Sequence, residues 1–250
     1  MSALNTALIT FVGCFTTGLI SLALRVPEHH LDGDSKDTVK LVMGLVATMS
    51  ALVLGLLIAT AKSSYDAQQT AVQQIAADII QLDGRLARFG PETREIRTLL
   101  RNDVARVHAL IWSPKAQAAA LDPMNTARAM EAISDDIQGL VPKTDAQHND
   151  QAKALELLST MSHTRLLMFV AMAGQIPLPF LVVLVLWLIA LFLGFGLFAR
   201  FNLTVMISLL IGALSIAAAI FLILELSDPF SGLLRISDTP IQYALSRIGQ

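Results

Sequence analysis

The chain has 250 residues, 54% of them hydrophobic and only 15% charged, with a formal net charge of −2 and a single cysteine. Soluble domains carry roughly 25% charged residues, so this composition excludes an ordinary soluble fold. The near-neutral charge offers no basic surface for nucleic acid, and one cysteine excludes a disulfide framework.

Residues 3–24 contain no charge and form the first expected transmembrane helix, since about 20 apolar residues cross the hydrocarbon core. The run has no basic flank before it and exceeds the ~7–15 residues of a signal-peptide core, so a retained span is expected. Residues 25–38 then form a short polar loop, and its stretch VPEHHLDGDSKD (Val26 to Asp37) concentrates two histidines and four acids. His29 and His30 with Asp32, Asp34 and Asp37 are ligand types that suit Zn²⁺ or Ni²⁺ if a loop converges them. A charged vestibule or a solvated loop accounts for the same residues, and no other segment supplies obvious further ligands. No metal and no cofactor is therefore expected. His29, His30, Lys36 and Lys40 stand near one membrane face and are candidates for a pore mouth, while Asp37 is a candidate N-cap for the next helix.

The second span is expected at 39–61. Gly44, Ala47, Thr48, Ala51 and Gly55 gather on one side of it, where small residues allow close helix contact in lipid or line a pore. The pore-lining candidates are Gly44, Thr48, Ser50, Ala51, Leu54 and Gly55. A second pattern runs further. Gly44, Ala47, Ala51, Leu54, Ile58, Ala61, Tyr65, Gln68, Val72, Ile75, Ile79, Leu82, Leu86 and Phe89 fall at alternating spacings of 3 and 4. That seam predicts one helix from Lys40 to Phe89, roughly 75 Å long, leaving the bilayer and continuing into water. Gly90-Pro91 predicts its end. The insert helices or a second subunit must cover the seam.

Residues 62–165 form a polar, helical insert holding twelve of the eighteen Lys and Arg residues. Pro91 to Trp112 predicts one helix there and Asp122-Pro123 opens another to about Leu140. Val141 to Asp150 reads as a loop, with helix resuming at Gln151. Residues 166–199 are a Pro-interrupted segment: Pro177 and Pro179 predict a break, with the third span at about 178–199. The fourth span is expected at 203–224, where Ser208, Gly212, Ser215 and Ala219 repeat the small-residue spacing. The tail, 225–250, begins ELSDPFSG and then carries an amphipathic pattern that would lie on the membrane or against the insert. The basic excess of the insert tilts the expected topology to a cytoplasmic insert in a bacterial inner (plasma) membrane.

No span carries a charge at its centre, which disfavours a proton-coupled transporter and leaves room for an uncharged passive pore. There is no Gly-rich phosphate loop, His-Glu-x-x-His or nucleophile motif, so no enzyme and no catalytic residue is expected. His108, His148 and His163 are isolated.

Three stretches resemble the bestrophin-like family, a largely uncharacterised group of mostly prokaryotic and plant membrane proteins: HHLDGDSKDTVKLVMGLVATMSALVLGLLIATAKSSYD (His29 to Asp66), LDGRLARFGPETREIRTLLR (Leu82 to Arg101) with Ile111-Trp112, and ELSDPFSG (Glu225 to Gly232). The resemblance implies an all-α membrane protein with four transmembrane helices and a helical extramembrane insert between the second and third. More distantly, the chain is similar to bestrophin channels. Those are pentamers, mostly anion-selective in animals, whose second helix lines the pore and whose Pro-Phe-Gly stretch after the last span leads into a calcium clasp. The tail candidates Glu225, Asp228, Pro229, Phe230 and Gly232 match the start of that motif, but the acidic run does not follow. The resemblance thus implies a homo-oligomer in the lipid bilayer, a pentamer by analogy, passing inorganic ions and above all anions along helix 2. The competing expectation is a non-conducting scaffold or sensor whose insert binds a soluble partner.

Overall fold

The computed structural model describes residues 3–23, 33–112, 123–173, 178–199 and 201–249. Among these, every regular element is helical: α1 (Ala3–Ala23), α2 (Gly33–Phe89), a 3₁₀ turn (Pro91–Thr93), α3 (Arg94–Trp112), α4 (Pro123–Gln138), α5 (Asp145–Ala173), α6 (Leu178–Phe198), α7 (Leu203–Leu226) and α8 (Thr239–Arg247). Helices satisfy their own backbone groups, which lipid cannot do for them. α1, α2, α6 and α7 are each long and apolar enough to cross a membrane. By contact, the chain divides into two units: Met1–Ser64 with Gln175–Asp228, and Tyr65–Gly174 with Pro229–Gln250.

In the first unit α1 packs along α6 and α7. Its buried face is Ala7, Thr10, Cys14, Gly18, Ser21 and Leu22, a row of mostly small residues at spacings of 3 and 4 that brings backbones close. Phe192 of α6 and Leu209 of α7 lie against Gly18 of this face, and Leu184 and Leu188 of α6 and Ala213, Ala217 and Ile220 of α7 are buried as well. The buried face of α7 is therefore not the expected small-residue row but a neighbouring one that includes Leu209 and Ile220. Ser208 and Ser215 are exposed and donate to the Thr204 and Ile211 carbonyls of their own helix, at 2.9 and 2.8 Å. Such bonding satisfies a hydroxyl without a partner helix.

Helix α2 begins at Gly33, six residues before the expected start at 39. The backbone of Asp34 and Asp37 thus lies inside the helix rather than before it. Asp37 is not a cap: it pairs with Lys40 at 3.1 Å along the exposed surface. His29, His30 and Asp32, like Asp122 and Pro177, lie outside the described residues.

The second unit is built on the seam of α2. Val72, Ile75, Ile79, Leu82, Leu86 and Phe89 are all buried. They are covered within one chain by Ile96, Leu100 and Val104 of α3, Met130, Ile133 and Ile137 of α4, and Ala154, Leu158 and Met161 of α5. The tail completes this core with Ile236, Ile241, Ala244 and Ile248, so α8 packs against the insert helices. Gly90, at φ 141, ends α2. The Thr93 hydroxyl then donates to the Leu86 carbonyl at 2.6 Å, satisfying one of the last open acceptors. α5 starts at Asp145, six residues earlier than expected. Thr144 Oγ1 accepts from the Gln147 amide at 3.2 Å, so Thr144-x-x-Gln147 is a capping-box sequence that the polar composition concealed.

Candidate functional site

Gly44, Thr48, Ala51 and Gly55 project from one side of α2 and are all exposed. Positions i, i+4, i+7 and i+11 fall within about 60° of one another on a 3.6-residue helix. A Cβ added at Gly44 or Gly55 would meet nothing within 4 Å. Thr48 Oγ1 donates to the Gly44 carbonyl at 2.9 Å, which satisfies the hydroxyl within its own helix. The span in α2 is also the least covered of the four, 11% buried against 28–39% for the others. Two candidates depart from this face. Leu54 is half-buried, about 80° from Gly44. Ser50 is only 3% exposed and sits about 120° round the helix, on the side that also buries Leu57 and Ala61. Ser50 thus departs from the exposed face of the other candidates and lies against residues of its own chain.

At the mouth candidates, Lys40 and Asp37 form an exposed pair, and Lys36 is half-buried one turn earlier. Among the described residues, no three His, Cys, Asp or Glu side chains come together as a metal-binding group.

The tail motif forms a strap on α3. Glu225 is buried at the end of α7, the Asp228 amide donates to its carbonyl at 3.3 Å, and Pro229 is buried. The Ile236 amide donates back to the Pro229 carbonyl at 2.8 Å, closing a loop around Gly232. Trp112 Nε1 donates to the Ile236 carbonyl at 2.9 Å, while the Phe230 ring meets Trp112 edge-on at 5.9 Å. His108, stacked on Trp112, places Nε2 at 2.9 Å from Asp238 Oδ2. Within the second unit these contacts fix residues 229–238 against α3.

Several buried polar groups of the second unit escaped sequence reading, some because their partners are distant in the chain and one, Asp78, with its partner a single helical turn away. Arg97 donates from Nε and Nη2 to the two oxygens of Asp83, at 2.8 and 2.9 Å, and the Gly249 amide adds a third bond. Asp78 is buried, which pushes its carboxyl above the usual range, while Gln74 Nε2 donates to it at 2.8 Å and opposes that shift. Burial likewise pulls the Arg165 guanidinium below its ordinary value, countered by Asp103 at 3.9 Å.

Asp238 gives a pH test of the strap. The His108 contact, with a smaller contribution from Gln242, holds its carboxyl below the usual carboxylate range. A carboxylate depressed in the folded state stabilises the fold above its unfolded pKa and loses that contribution as pH falls through the folded value. Asp238→Asn is therefore expected to melt below the parent at neutral pH, with the gap closing below about pH 4. Melting curves of both proteins in detergent across pH check this; a gap that persists in acid would reassign the contact.

These features define a class, a multi-pass helical integral membrane protein with a helical second unit built on one long helix. A bestrophin-like domain profile matches residues 10–241. The chain belongs to the bestrophin-like family. No curated protein matches it. Solved structures of a bacterial bestrophin homolog from Klebsiella pneumoniae share its fold. One substituted form has a TM-score of 0.72 at 13% identity, covering 99% of this chain and 97% of that chain. Another has a TM-score of 0.70 at 12% identity, covering 96% and 97%. The form solved by zinc anomalous phasing has a TM-score of 0.68 at 13% identity, covering 96% of each chain.

Proposed function

We propose that the protein is a passive ion channel, a homo-oligomer in which α2 of each copy lines a central pore for anions. The observation that carries this reading is the open face of α2. A membrane helix rarely leaves its small-residue side without a neighbour, and either another copy or a water column fills that space. Gly44, Thr48, Ala51 and Gly55 are the wall, with Leu54 at its margin; Ser50 is left to packing within the chain. The span offers no carboxylate to repel an anion, and Lys36, Lys40 and Lys62 stand at its two ends. His29 and His30 belong to the same mouth as Lys36 and Lys40. The family fits a channel rather than an enzyme. Five copies, a bacterial inner membrane and a cytoplasmic placement of residues 62–165 complete the proposal.

Chloride efflux from liposomes holding the purified protein tests it. The parent is expected to leak chloride, Thr48→Leu and Gly55→Leu to slow the leak, and Ser50→Ala to leave it unchanged. Tight liposomes at high protein density would overturn the channel and favour a scaffold or sensor whose helical insert binds a soluble partner. A conducting protein indifferent to Thr48 and Gly55 would overturn the assignment of the wall.

A further inference from the structure

The loop from Pro229 to Ile236 is fixed at its base and apolar at its tip. Its neck is closed by the Ile236 amide on the Pro229 carbonyl at 2.8 Å, and Trp112 Nε1 holds the Ile236 carbonyl. Phe230 rests edge-on against the same indole. Gly232, at φ 78, turns the chain in a conformation that side-chain-bearing residues rarely adopt. Beyond it Leu233 is 84% exposed, the most exposed large hydrophobic side chain among the described residues. Leu234 and Arg235 beside it are exposed as well.

Single exposed leucines are ordinary. Two in succession, followed by a cation, on a loop pinned at both ends, call for a specific environment. The chain supplies one. α7 has 24 residues, about 36 Å of helix against a hydrocarbon core of about 30 Å, so its last turn already enters the headgroup layer. Pro229 follows Leu226, the end of α7, by three residues, and Leu233 follows it by seven. Seven extended residues reach at most about 25 Å, and closure of the loop at its neck shortens that reach.

We propose that this loop is a membrane-interface anchor, in which Leu233 and Leu234 enter the lipid surface and Arg235 engages an anionic lipid phosphate. Leucine side chains at the interface regain the apolar contact that water denies them, and a guanidinium matches a phosphate in a bidentate pair. Continuity with the lipid-crossing end of α7 favours lipid as the occupant over a second copy of the chain. The anchor is distinct from the proposed pore wall, which lies on another helix, and it stands whether or not the protein conducts.

The test places a spin label at Leu233→Cys in a Cys14→Ser background, in liposomes of phosphatidylcholine with phosphatidylglycerol. The label is expected to collide more with membrane-dissolved oxygen than with an aqueous nickel chelate. Removing phosphatidylglycerol should reduce that immersion in the parent and have less effect once Arg235→Gln is present. A label reached mainly by the nickel chelate would place the loop in water and overturn the anchor. A label shielded from both reagents would place it against another protein surface, with the same consequence. In the unsubstituted chain, a phospholipid with a headgroup-proximal diazirine should crosslink to residues 230–235; absence of that crosslink, with α7 crosslinked normally, would also overturn it.

Discussion

Replacing Asp83 with alanine is expected to destabilise the second unit by about 3 kcal/mol, because it breaks a buried ion pair and leaves one partner behind. Asp83 is 5% exposed, and Arg97 grips both of its oxygens in a fork geometry. The pairing holds the Arg97 guanidinium above its ordinary value, against the opposing effect of burial. Without the carboxylate, Arg97 remains charged in a largely buried position, and the Gly249 amide loses its acceptor at 3.3 Å. The end of the tail, where Arg101 also reaches the Ile248 carbonyl at 3.5 Å, should loosen first. The exposed Lys153–Glu156 pair gives the contrast. It is as short, at 2.7 Å, yet surface pairs contribute about 0–1 kcal/mol, so Lys153→Ala should barely move the melt. Thermal unfolding in detergent separates the two. The double substitution Asp83→Ala with Arg97→Leu should recover much of the loss, since it removes both charges together. A single Asp83→Ala variant that melts with the parent would show that the pair is not a structural element of this core.

Periodicity made the helices legible because it registers what an element does along its own axis. The stripe from Val72 to Phe89 announced both a helix and its buried side, and four apolar runs announced the spans. Two kinds of information were out of reach. Rotation is one: a small hydroxyl such as Ser50 suits a pore wall or a helix contact equally well, and only the neighbours of α2 turn it inward. Above Ala61 the covered face and the seam coincide; below it, Ser50 and Leu57 are buried while Gly44 and Ala51 are exposed. Long-range polar pairing is the other. Asp83 and Gly249 are 166 residues apart, and His108 and Asp238 are 130 apart, so local spacing carries no trace of either. The start of α5 was legible in principle, since Thr144-x-x-Gln147 is a cap, but a polar stretch masks such a signal unless the cap is sought by its chemistry. In the tail, the resemblance covered only the start of a clasp motif, without its acidic run, and the packing of Phe230 on Trp112 and the closure of Pro229 by Ile236 are further contacts that spacing does not encode.

Gly196→Ala is expected to disrupt the first unit more severely than any comparable change on the open face of α2. A Cβ at Gly196 would overlap Ser21 Oγ and the Gly18 carbonyl oxygen, and would lie 3.0 Å from the Leu22 amide nitrogen. Two of these three atoms are backbone, so α1 and α6 would have to separate rather than adjust a rotamer. Overpacking of this kind costs about 1–3 kcal/mol and occasionally more, and a backbone obstacle belongs at the upper end. Separation would also strip contacts from Leu184, Leu188 and Phe192, and helix association in lipid depends on such packing because water is not there to drive it. Gly194→Ala meets only the flexible Met43 side chain and should cost less. Gly44→Ala and Gly55→Ala meet no atom within 4 Å of the new carbon in the chain and should leave its folding intact. The monodisperse fraction and melting temperature in detergent rank the four variants. Should Gly196→Ala fold and melt as the parent does, close approach of α1 and α6 is not a requirement of the fold. Should Gly44→Ala or Gly55→Ala prove as damaging as Gly196→Ala, the face assigned to the pore wall is instead a tight contact between copies, with no room for a conducting path along it.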